Sequence, residues 1–291
     1  MADLALLLLT LVWGTTFTLV HRALAGTGSA TFLALRFGLA FAAMLAIWAW
    51  RRPRISPGLW RDGGLLGLAM FGGFALQTAG LRFTTPARSG FLTGLAVVGV
   101  PFVARFVMGR RVALAAWAGV ALAVAGLLLL AGPLGGDVGP EVRLGDMLTV
   151  GCAVAYALQI IWTSEFSPRH PLVALTTVQI GVTLAGTLAM LAVEGPRLAP
   201  SAELAGTVLF TGLAMTVGAF FVMNWAQRHT TAVRAALIYA LEPPAAAVFS
   251  HLVTGETLAP AGIAGGALIV LGVLAGEVGG LLEARRRDRA P

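Results

Sequence analysis

The chain has 291 residues, of which 58% are hydrophobic and 11% are charged, and its formal net charge is +7. Soluble domains carry about 25% charged residues, so a composition this poor in charge excludes an ordinary soluble globular protein. The positive charge does not indicate a nucleic-acid-binding protein. All basic residues are arginines, and most lie at the ends of apolar runs, where membrane topology accounts for them.

Long apolar runs recur along the chain, separated by short turns rich in proline, glycine and arginine. A helix needs about 20 apolar residues to cross roughly 30 Å of hydrocarbon, so these runs predict an all-α integral membrane protein. The first run has no basic region before it and is followed by further spans, so we expect a retained helix and not a signal peptide. The ten predicted transmembrane helices cover approximately residues 3–24, 31–50, 63–81, 87–108, 113–132, 145–164, 171–193, 204–226, 232–253 and 259–281.

The arginines are distributed unevenly between the two sides of this arrangement. Thirteen lie in loops on the side of the N-terminus and five in loops on the opposite side, while Arg36 and Arg105 lie inside predicted helices. Because positively charged loops stay in the cytoplasm, both termini are predicted to be cytoplasmic.

The two halves of the chain repeat each other. A shift of 146 residues superposes the motif Arg-x-Thr-Thr-x-x-Arg at residues 82–88 on the same motif at residues 228–234. A shift of 143 residues relates the first two predicted helices of each half, so that Trp13 corresponds to Tyr156. Small apolar residues match by chance, but a paired polar motif of this kind rarely does, so the repeat predicts a duplicated architecture.

Each repeat holds five predicted helices, so the second copy crosses the membrane in the opposite orientation. We therefore predict two inverted-topology five-helix units, residues 1–138 and residues 139–291, the second ending in a short basic tail. Inverted repeats are typical of secondary transporters, in which two halves rock about a site near the midplane. A duplicated membrane scaffold without transport is the alternative.

Several short motifs follow one another in the order and spacing of a known family. They are Trp13-Gly14-Thr15-Thr16-Phe17, Leu35-Arg36-Phe37, Leu241-Glu242-Pro243, Gly255-Glu256 and the glycine-rich run at residues 265–273. With them the chain resembles, over nearly its whole length, the EamA-type ten-helix exporters of the drug/metabolite transporter superfamily. The resemblance implies a multi-pass transporter of the bacterial inner (plasma) membrane that exports amino acids or other small metabolites. The chain departs from the family at Gly109-Arg110, where a Gly-Glu pair is common, so only Glu256 supplies the matching acid.

Two charged residues lie well inside predicted helices. A charge near the middle of the bilayer costs about 2.5–3.5 kcal/mol on insertion scales, so Arg36 is a candidate for binding a substrate carboxylate. Alternatively, its long side chain reaches the outer interface, or it pairs with a carboxylate of the ninth helix. Glu242 of that helix is a candidate for contacting a substrate ammonium group or carrying a coupling proton. A paired or protonated carboxyl that satisfies backbone freed by the neighbouring prolines is the alternative.

Aromatic and amide side chains complete the predicted substrate-binding site. Trp13, Tyr156 and Tyr239 are predicted well away from the membrane interfaces, where such rings either fill the bundle or wall a cavity. The equivalence of Trp13 and Tyr156 in the two repeats favours a shared central cavity. Gln77 and Gln179 are predicted to belong to the same site, with hydrogen bonding between helices as the alternative for each.

Three prolines fall inside predicted helices. Pro101 lies in the fourth helix, and Pro243 and Pro244 lie in the ninth. Because proline removes a backbone donor and disturbs the helix, we expect these residues to bend the two helices at gating positions.

Motifs for other chemistries are missing. The histidines have no common spacing, so no metal site is predicted. No phosphate-binding or dinucleotide-binding loop is present, so we predict no cofactor and no ATP-driven engine. The aspartates lie at helix ends or in loops, so no catalytic residues are predicted. The expected partners are a small-molecule substrate and membrane lipid. The oligomeric state is not specified, and a monomer is compatible with the sequence.

These patterns predict a secondary transporter and not an enzyme. Two halves would alternate access to a central cavity, and the predicted substrates are amino acids, either aromatic or broad in range. Two alternatives stay open. One is an exporter of lipophilic or quaternary-ammonium drugs, although the first helix has no acid beyond Asp3. The other is a passive channel or facilitator.

Overall fold

The structure, a computed structural model, consists of helices joined by short turns. It describes residues 1–131, 139–254 and 259–287. The predicted repeat boundary at residue 138, the Gly255-Glu256 pair and the end of the basic tail lie outside these ranges.

The α-helices are labelled α1 to α14 in chain order, and shorter π-helical and 3₁₀ turns continue some of them. Their bounds are α1 Ala2–Gly14, α2 Thr16–Ala23, α3 Ser29–Arg51, α4 Leu59–Gly80, α5 Pro86–Gly94, α6 Ala96–Phe102, α7 Leu114–Ala131, α8 Pro140–Phe166, α9 Leu172–Glu194, α10 Ala202–Leu209, α11 Ala219–Ala226, α12 Ala232–Tyr239, α13 Glu242–Thr254 and α14 Pro260–Arg287. The π-helical segments are Val103–Val107 and Phe210–Gly218, and Ser167–Arg169 forms a 3₁₀ turn.

Seven stretches of the described chain are helical, long and apolar enough to cross a membrane. They are Ala2–Ala23, Ser29–Arg51, Arg88–Val107, Pro140–Arg169, Leu172–Glu194, Ala202–Ala226 and Ala232–Phe249. Two shorter apolar helices, Leu114–Leu130 and Pro260–Gly276, coincide with the fifth and tenth predicted segments. The third predicted segment corresponds to α4, which carries Arg61 and Asp62 in its first turn and is rich in glycine.

Short breaks divide three of the long helical stretches. Thr15 separates α1 from α2, Leu95 separates α5 from α6, and a two-residue turn at residues 240–241 separates α12 from α13. Pro243 and Pro244 follow the last break and occupy the first turn of α13, where a missing N–H costs no helical hydrogen bond. The bend therefore precedes the two prolines. Pro101 lies inside α6 and is followed by the π-helical turn Val103–Val107.

Helices α7 and α14 cross at two pairs of glycines. A Cβ added to Gly119 would lie 2.5 Å from the carbonyl oxygen of Gly272, and one added to Gly126 would lie 2.4 Å from that of Gly265. The shift of 146 residues maps Gly119 onto Gly265 and Gly126 onto Gly272. The crossing therefore joins equivalent positions of the two halves of the chain. Because these glycines have no side chains, the two backbones can approach this closely.

Contacts between turns define the two ends of the bundle. The turn after α2 pairs with the segment after α9, since Gly28 N donates to Arg197 O at 2.9 Å and Ala199 N donates to Gly26 O at 3.0 Å. We call this end the far side. At the other end, beside the N-terminus, Arg234 forms an ion pair with Asp3 at 2.9 Å. We call this end the near side.

A buried polar chain joins the two halves of the sequence on the near side. His170 places Nε2 2.9 Å from Asp62 Oδ2 and Nδ1 2.6 Å from Ser56 Oγ. The side chains of Asp62 and His170 are only 2% and 1% exposed. The chain fixes the start of α4 against the turn before α9, because a buried carboxyl must keep its hydrogen bonds.

We expect Asp62→Ala to lower the free energy of unfolding by about 3 kcal/mol, because removing this buried carboxyl leaves Nε2 of the buried His170 without its hydrogen-bond partner. Arg61→Ala is the matched control. The side chain of Arg61 is 72% exposed although it contacts the same carboxylate, so its loss is expected to cost under about 1 kcal/mol. Denaturant unfolding in detergent micelles measures both values, and equal losses would contradict the assignment.

Candidate functional site

A large cavity lies at the centre of the bundle and extends toward the far side. It holds about 930 Å³ of atom-free space, a figure that includes its mouth and the adjoining solvent. Helices from both halves of the chain line it. The lining residues are Trp13, Thr16, Phe17, Val20, Arg36, Phe74, Gln77, Thr78, Leu81, Thr93, Gly94, Ala96, Val97, Tyr156, Gln159, Ile160, Phe220, Met223, Ala236, Tyr239, Ala240 and Glu242.

A row of aromatic rings crosses the floor of this cavity. Tyr156 and Phe74 have ring centroids 5.7 Å apart, and Trp13 and Phe220 are also 5.7 Å apart. Phe74 and Phe220 join the two pairs at 6.0 Å. The repeat relates Tyr156 to Trp13 and Phe74 to Phe220, so the row is symmetric about its middle. Its rings provide a broad apolar surface with edge-to-face contacts.

Arg36 of α3 is the cationic group of the cavity. Its side chain is buried, its Nε donates to Thr216 Oγ1 at 2.9 Å, and its Nη2 donates to Met215 O at 3.3 Å. The guanidinium also lies 4.5 Å from the centroid of the Phe74 ring, a cation–π distance. These contacts use two of its five N–H groups. Within the described residues the others have no acceptor, so they are available to a ligand.

The π-helical segment Phe210–Gly218 creates the acceptor for Arg36. Its wider turn is marked by the hydrogen bond from Thr216 Oγ1 to Thr211 O at 2.8 Å, five residues back. The carbonyl of Met215 accepts from Arg36 and also from Trp13 Nε1 at 3.4 Å. A π-helix in the interior of a helix often marks a functional position, and here it orients one charged and one aromatic cavity residue.

Glu242 is the acidic group of the cavity. It begins α13 directly after the break in that helix, and in the described part of the chain its carboxyl has neither a hydrogen bond nor an ion pair, with Arg36 or any other residue. Gly14 brings α1 against this point, since a Cβ there would lie 2.9 Å from Glu242 O and 2.7 Å from Ala246 N. Any larger residue at position 14 would push the two helices apart beside the carboxyl.

Gln77 belongs to a polar group on the opposite wall. Its Nε2 donates to Thr93 Oγ1 at 3.1 Å, and its Oε1 accepts from Tyr156 Oη at 3.4 Å. Gly73 provides the space for that tyrosine, because a Cβ there would lie 2.3 Å from the ring. The wall offers neutral hydrogen-bonding groups to a bound molecule.

Six of the seven predicted substrate-binding residues line the cavity, and Gln179 does not. Gln179 is fully buried, and its Oε1 accepts from Asn224 Nδ2 at 3.2 Å. Asn224 also donates to Thr176 Oγ1 at 2.9 Å. Gln179 therefore joins α9 to α11 through this hydrogen bond. Pro101 also lies outside the cavity lining, whereas Pro243 and Pro244 follow Glu242 directly.

The near side of the cavity is closed by hydrogen bonds. Gln227 Nε2 donates to Tyr239 Oη at 3.0 Å, and Gln227 Oε1 accepts from Ser164 Oγ at 3.0 Å. The repeat relates these residues to Leu81, Thr93 and His21 on the far side. Leu81 and Thr93 line the open cavity, and His21 is exposed. The same layer of side chains is thus joined by hydrogen bonds on the near side, whereas its far-side equivalents share no such bond in the described part of the chain.

Comparison with known proteins assigns the chain to a family. The EamA-like transporter family matches residues 1–132 and again residues 143–275. The chain belongs to this family. An uncharacterized transporter of Archaeoglobus fulgidus is 30% identical over 273 residues, which cover 94% of this chain and 84% of that protein. A second uncharacterized transporter of the same organism is 26% identical over 277 residues, or 94% of each chain.

A solved crystal structure is similar over 99% of both chains, with a TM-score of 0.78 and 20% sequence identity. At that identity the likeness shows the fold alone. As a member of the EamA-like family, the protein is a multi-pass membrane transporter of small molecules, and the central cavity is its candidate substrate site.

Some residues of this transporter's site were not singled out by their sequence. Phe74 and Phe220 look like ordinary apolar residues of a membrane helix, although the repeat superposes one on the other. Thr216 and the carbonyl of Met215 depend on the π-helical turn, which no sequence pattern indicates. Gln227 falls in a predicted turn, where a polar residue needs no special explanation.

Proposed function

We propose that the protein is a secondary transporter that exports amino acids by alternating access. The observation that carries the proposal is the arrangement of Arg36 and Glu242. Both line one cavity, yet they do not pair with each other. A charge held inside a membrane protein needs a partner, and a zwitterion brings a carboxylate for the guanidinium and an ammonium group for the carboxylate.

The aromatic row suits the side chain of such a substrate. The rings of Trp13, Phe74, Tyr156 and Phe220 line the same cavity as the two charged groups, and the ring centroids of Tyr239 and Trp13 lie 5.8 Å apart. Apolar and aromatic side chains would gain by leaving water against these rings. The proposed substrates are therefore amino acids with aromatic or large apolar side chains, or a broad range that includes them.

The proposed architecture is ten transmembrane helices in two inverted five-helix repeats, residues 1–138 and 139–291, with both termini in the cytoplasm of a bacterial inner membrane. Support comes from the glycine crossing of α7 and α14, the symmetric aromatic row and the positive charge of the near-side loops. In this architecture the near side is cytoplasmic. The cavity, which reaches toward the far side, would then represent the state that releases an exported substrate.

Uptake into proteoliposomes tests the substrate class. We expect saturable movement of labelled phenylalanine, competed by other large amino acids. Phenylethylamine and 3-phenylpropionate each keep the ring and one of the two charged groups, so each leaves one buried charge unpaired. We expect both to compete at least about thirtyfold more weakly, which corresponds to the roughly 2 kcal/mol that one charged hydrogen bond contributes. Equal competition by either analogue would contradict the zwitterion proposal.

A second candidate is the export of lipophilic cations. The carboxyl of Glu242 faces a cavity walled by aromatic rings, which attract cations. Arg36 opposes this candidate because its guanidinium would repel such a substrate. Uptake of tetraphenylphosphonium without any amino acid transport would favour this candidate. Flux that never exceeds the imposed gradient would favour a passive facilitator.

A further inference from the structure

Two ion pairs at opposite ends of the molecule are equivalents under the internal repeat. Arg88 pairs with Asp146 on the far side, and Arg234 pairs with Asp3 on the near side. The shift of 146 residues maps Arg88 onto Arg234, and the shift of 143 maps Asp3 onto Asp146. In both cases a threonine caps the helix of the arginine, since Arg88 N donates to Thr85 Oγ1 and Arg234 N donates to Thr231 Oγ1.

The two ion pairs are completed differently. On the far side, Thr84 Oγ1 donates to Asp146 Oδ1 at 2.9 Å, and Arg88 donates to both oxygens of that carboxylate. We call these three residues the far clasp. Their equivalents, Thr230, Arg234 and Asp3, form the near clasp. There Arg234 Nη2 donates to Asp3 Oδ2 at 2.9 Å, but Asp3 Oδ1 and Thr230 Oγ1 are buried without a hydrogen-bond partner in the described part of the chain.

Each clasp holds the turn between two helices. The far clasp fastens the turn between α4 and α5 to the start of α8, and the near clasp lies between the turn after α11 and the start of α1. The near turn has a further set of hydrogen bonds, because Gln227 accepts from Ser164 and donates to Tyr239 to close the cavity. On the far side no such hydrogen bonds join the corresponding residues in the described part of the chain, and Leu81 and Thr93 line the cavity. Thus the side with the complete clasp is open, and the side with the incomplete clasp is closed.

We propose that the two clasps are alternating latches, each completed only while the cavity is open on its own side. This proposal rests on the alternating-access function proposed above. When the transporter switches, the near turn breaks the closing hydrogen bonds of Gln227 and completes the Thr230–Asp3–Arg234 clasp. At the same time the far turn loses the Thr84–Asp146 hydrogen bond and closes the far end of the cavity. The Thr84–Asp146 hydrogen bond given up at the far end is replaced by the equivalent Thr230–Asp3 bond at the near end, which keeps the free energies of the two states closer together, as exchange between them requires.

A permanent anchor predicts something different. Two structural ion pairs with no part in switching would both be fully hydrogen-bonded, since buried polar groups left without a partner are unfavourable. The unpartnered oxygens of Asp3 and Thr230, whose equivalents Asp146 and Thr84 are bonded to each other, favour a latch over an anchor.

Cysteine accessibility in lipid nanodiscs tests the proposal, because an impermeant thiol reagent there reaches both faces. The native Cys152 is buried and is replaced by alanine. Two reporters are then introduced separately at equivalent positions. Val20→Cys lies in the cavity lining toward the far side, where Val20 is 7% exposed, and Thr163→Cys lies at the equivalent position on the near side, where Thr163 is fully buried. The ratio of their labelling rates reports the balance between far-open and near-open states.

Asp146→Asn weakens the far clasp, and we expect it to shift the ratio about tenfold toward labelling of Thr163→Cys. Asp3→Asn should shift it about tenfold the other way, and the double variant should return the ratio to its starting value. The tenfold figure is the loss of one hydrogen bond to a charged group. Thr84→Val and Thr230→Val each remove only a hydroxyl. They should shift the ratio of labelling rates by about threefold, Thr84→Val in the direction of Asp146→Asn and Thr230→Val in the direction of Asp3→Asn. These two variants keep the test valid if an aspartate variant does not fold.

Shifts of the same sign, or no shift in either single variant, would overturn the latch proposal. The measurement needs no substrate, so failure of the amino-acid proposal leaves it intact. If Thr163→Cys reacts in the unaltered clasp background but no clasp variant changes the ratio, only the latch proposal falls. If Thr163→Cys stays unreactive in every variant, alternating access falls and the latch proposal falls with it.

Discussion

Arg36→Gln is expected to raise the KM for amino acid uptake at least about thirtyfold. Glutamine keeps hydrogen-bonding capacity toward Thr216 but loses the charge that the substrate carboxylate would meet in a buried site. Removing one partner of a buried charged pair costs about 2–5 kcal/mol, and 2 kcal/mol corresponds to roughly thirtyfold in affinity. Initial rates of uptake into proteoliposomes over a range of phenylalanine concentrations measure this change.

Two variants separate the role of Arg36 from a general effect of losing an intramembrane arginine. Arg36→Lys keeps the charge but not the planar fork that binds a carboxylate in two places, so an intermediate loss is expected. Arg105→Gln removes another arginine from a helical stretch, but its side chain is exposed and lies outside the cavity lining, so uptake should stay within about twofold of the wild type. An unchanged KM in Arg36→Gln would remove this residue from the site.

The sequence was most informative where a residue is costly to bury. Arg36 and Glu242 were identified because charges are rare inside membrane helices, and both line the cavity. Gln179 was identified on a similar but weaker argument and lies between α9 and α11 instead. An amide in a membrane helix satisfies its hydrogen bonds equally well against a ligand or a neighbouring helix. Whether the amide faces the cavity or a neighbouring helix depends on how the helix is rotated about its axis, and packing sets that rotation.

The positions of the long helical stretches were also predictable, because runs of apolar residues set their approximate ends. The breaks at Thr15 and Leu95 were not, since neither residue has a strong tendency to end a helix. Gly14 explains the first break only in three dimensions, where α13 approaches its backbone. The prolines of α13 were expected to cause a bend in mid-helix, but they occupy a first turn, where proline is tolerated. Local helix propensity therefore predicted where the chain bends but not how the bend forms.

The repeat made the site more predictable than a single motif could. Trp13 and Tyr156 were paired by sequence alone, and in the structure each contacts one ring of the symmetric pair Phe74 and Phe220. Symmetry does not extend to the charges. Arg36 corresponds to Gln179, so one repeat supplies the cation and the other supplies Glu242. The cation and the acid lie in different repeats, so the two ends of the site differ in charge. This difference would orient a bound zwitterionic substrate.

Glu242→Gln is expected to abolish the preference for a substrate with an ammonium group. The KM for phenylalanine should rise at least about thirtyfold, because the substrate cation loses its buried partner. Competition by 3-phenylpropionate, which has no ammonium group, should improve, because the variant no longer leaves a buried carboxylate unpaired beside it. The same uptake assay measures both, and Glu194→Gln, an exposed acid at the end of α9, is the matched control that should leave both values unchanged.

The double variant Arg36→Gln with Glu242→Gln decides between substrate binding and mutual neutralisation. If each residue binds one end of the substrate, the double variant should transport phenylalanine no better than the poorer single variant. If the two residues instead neutralise each other during the transport cycle, each single variant leaves one unpaired buried charge. The double variant would then transport better than either single variant. Such a positive interaction energy would replace the zwitterion site by an internal ion pair and favour an uncharged substrate held by the aromatic row.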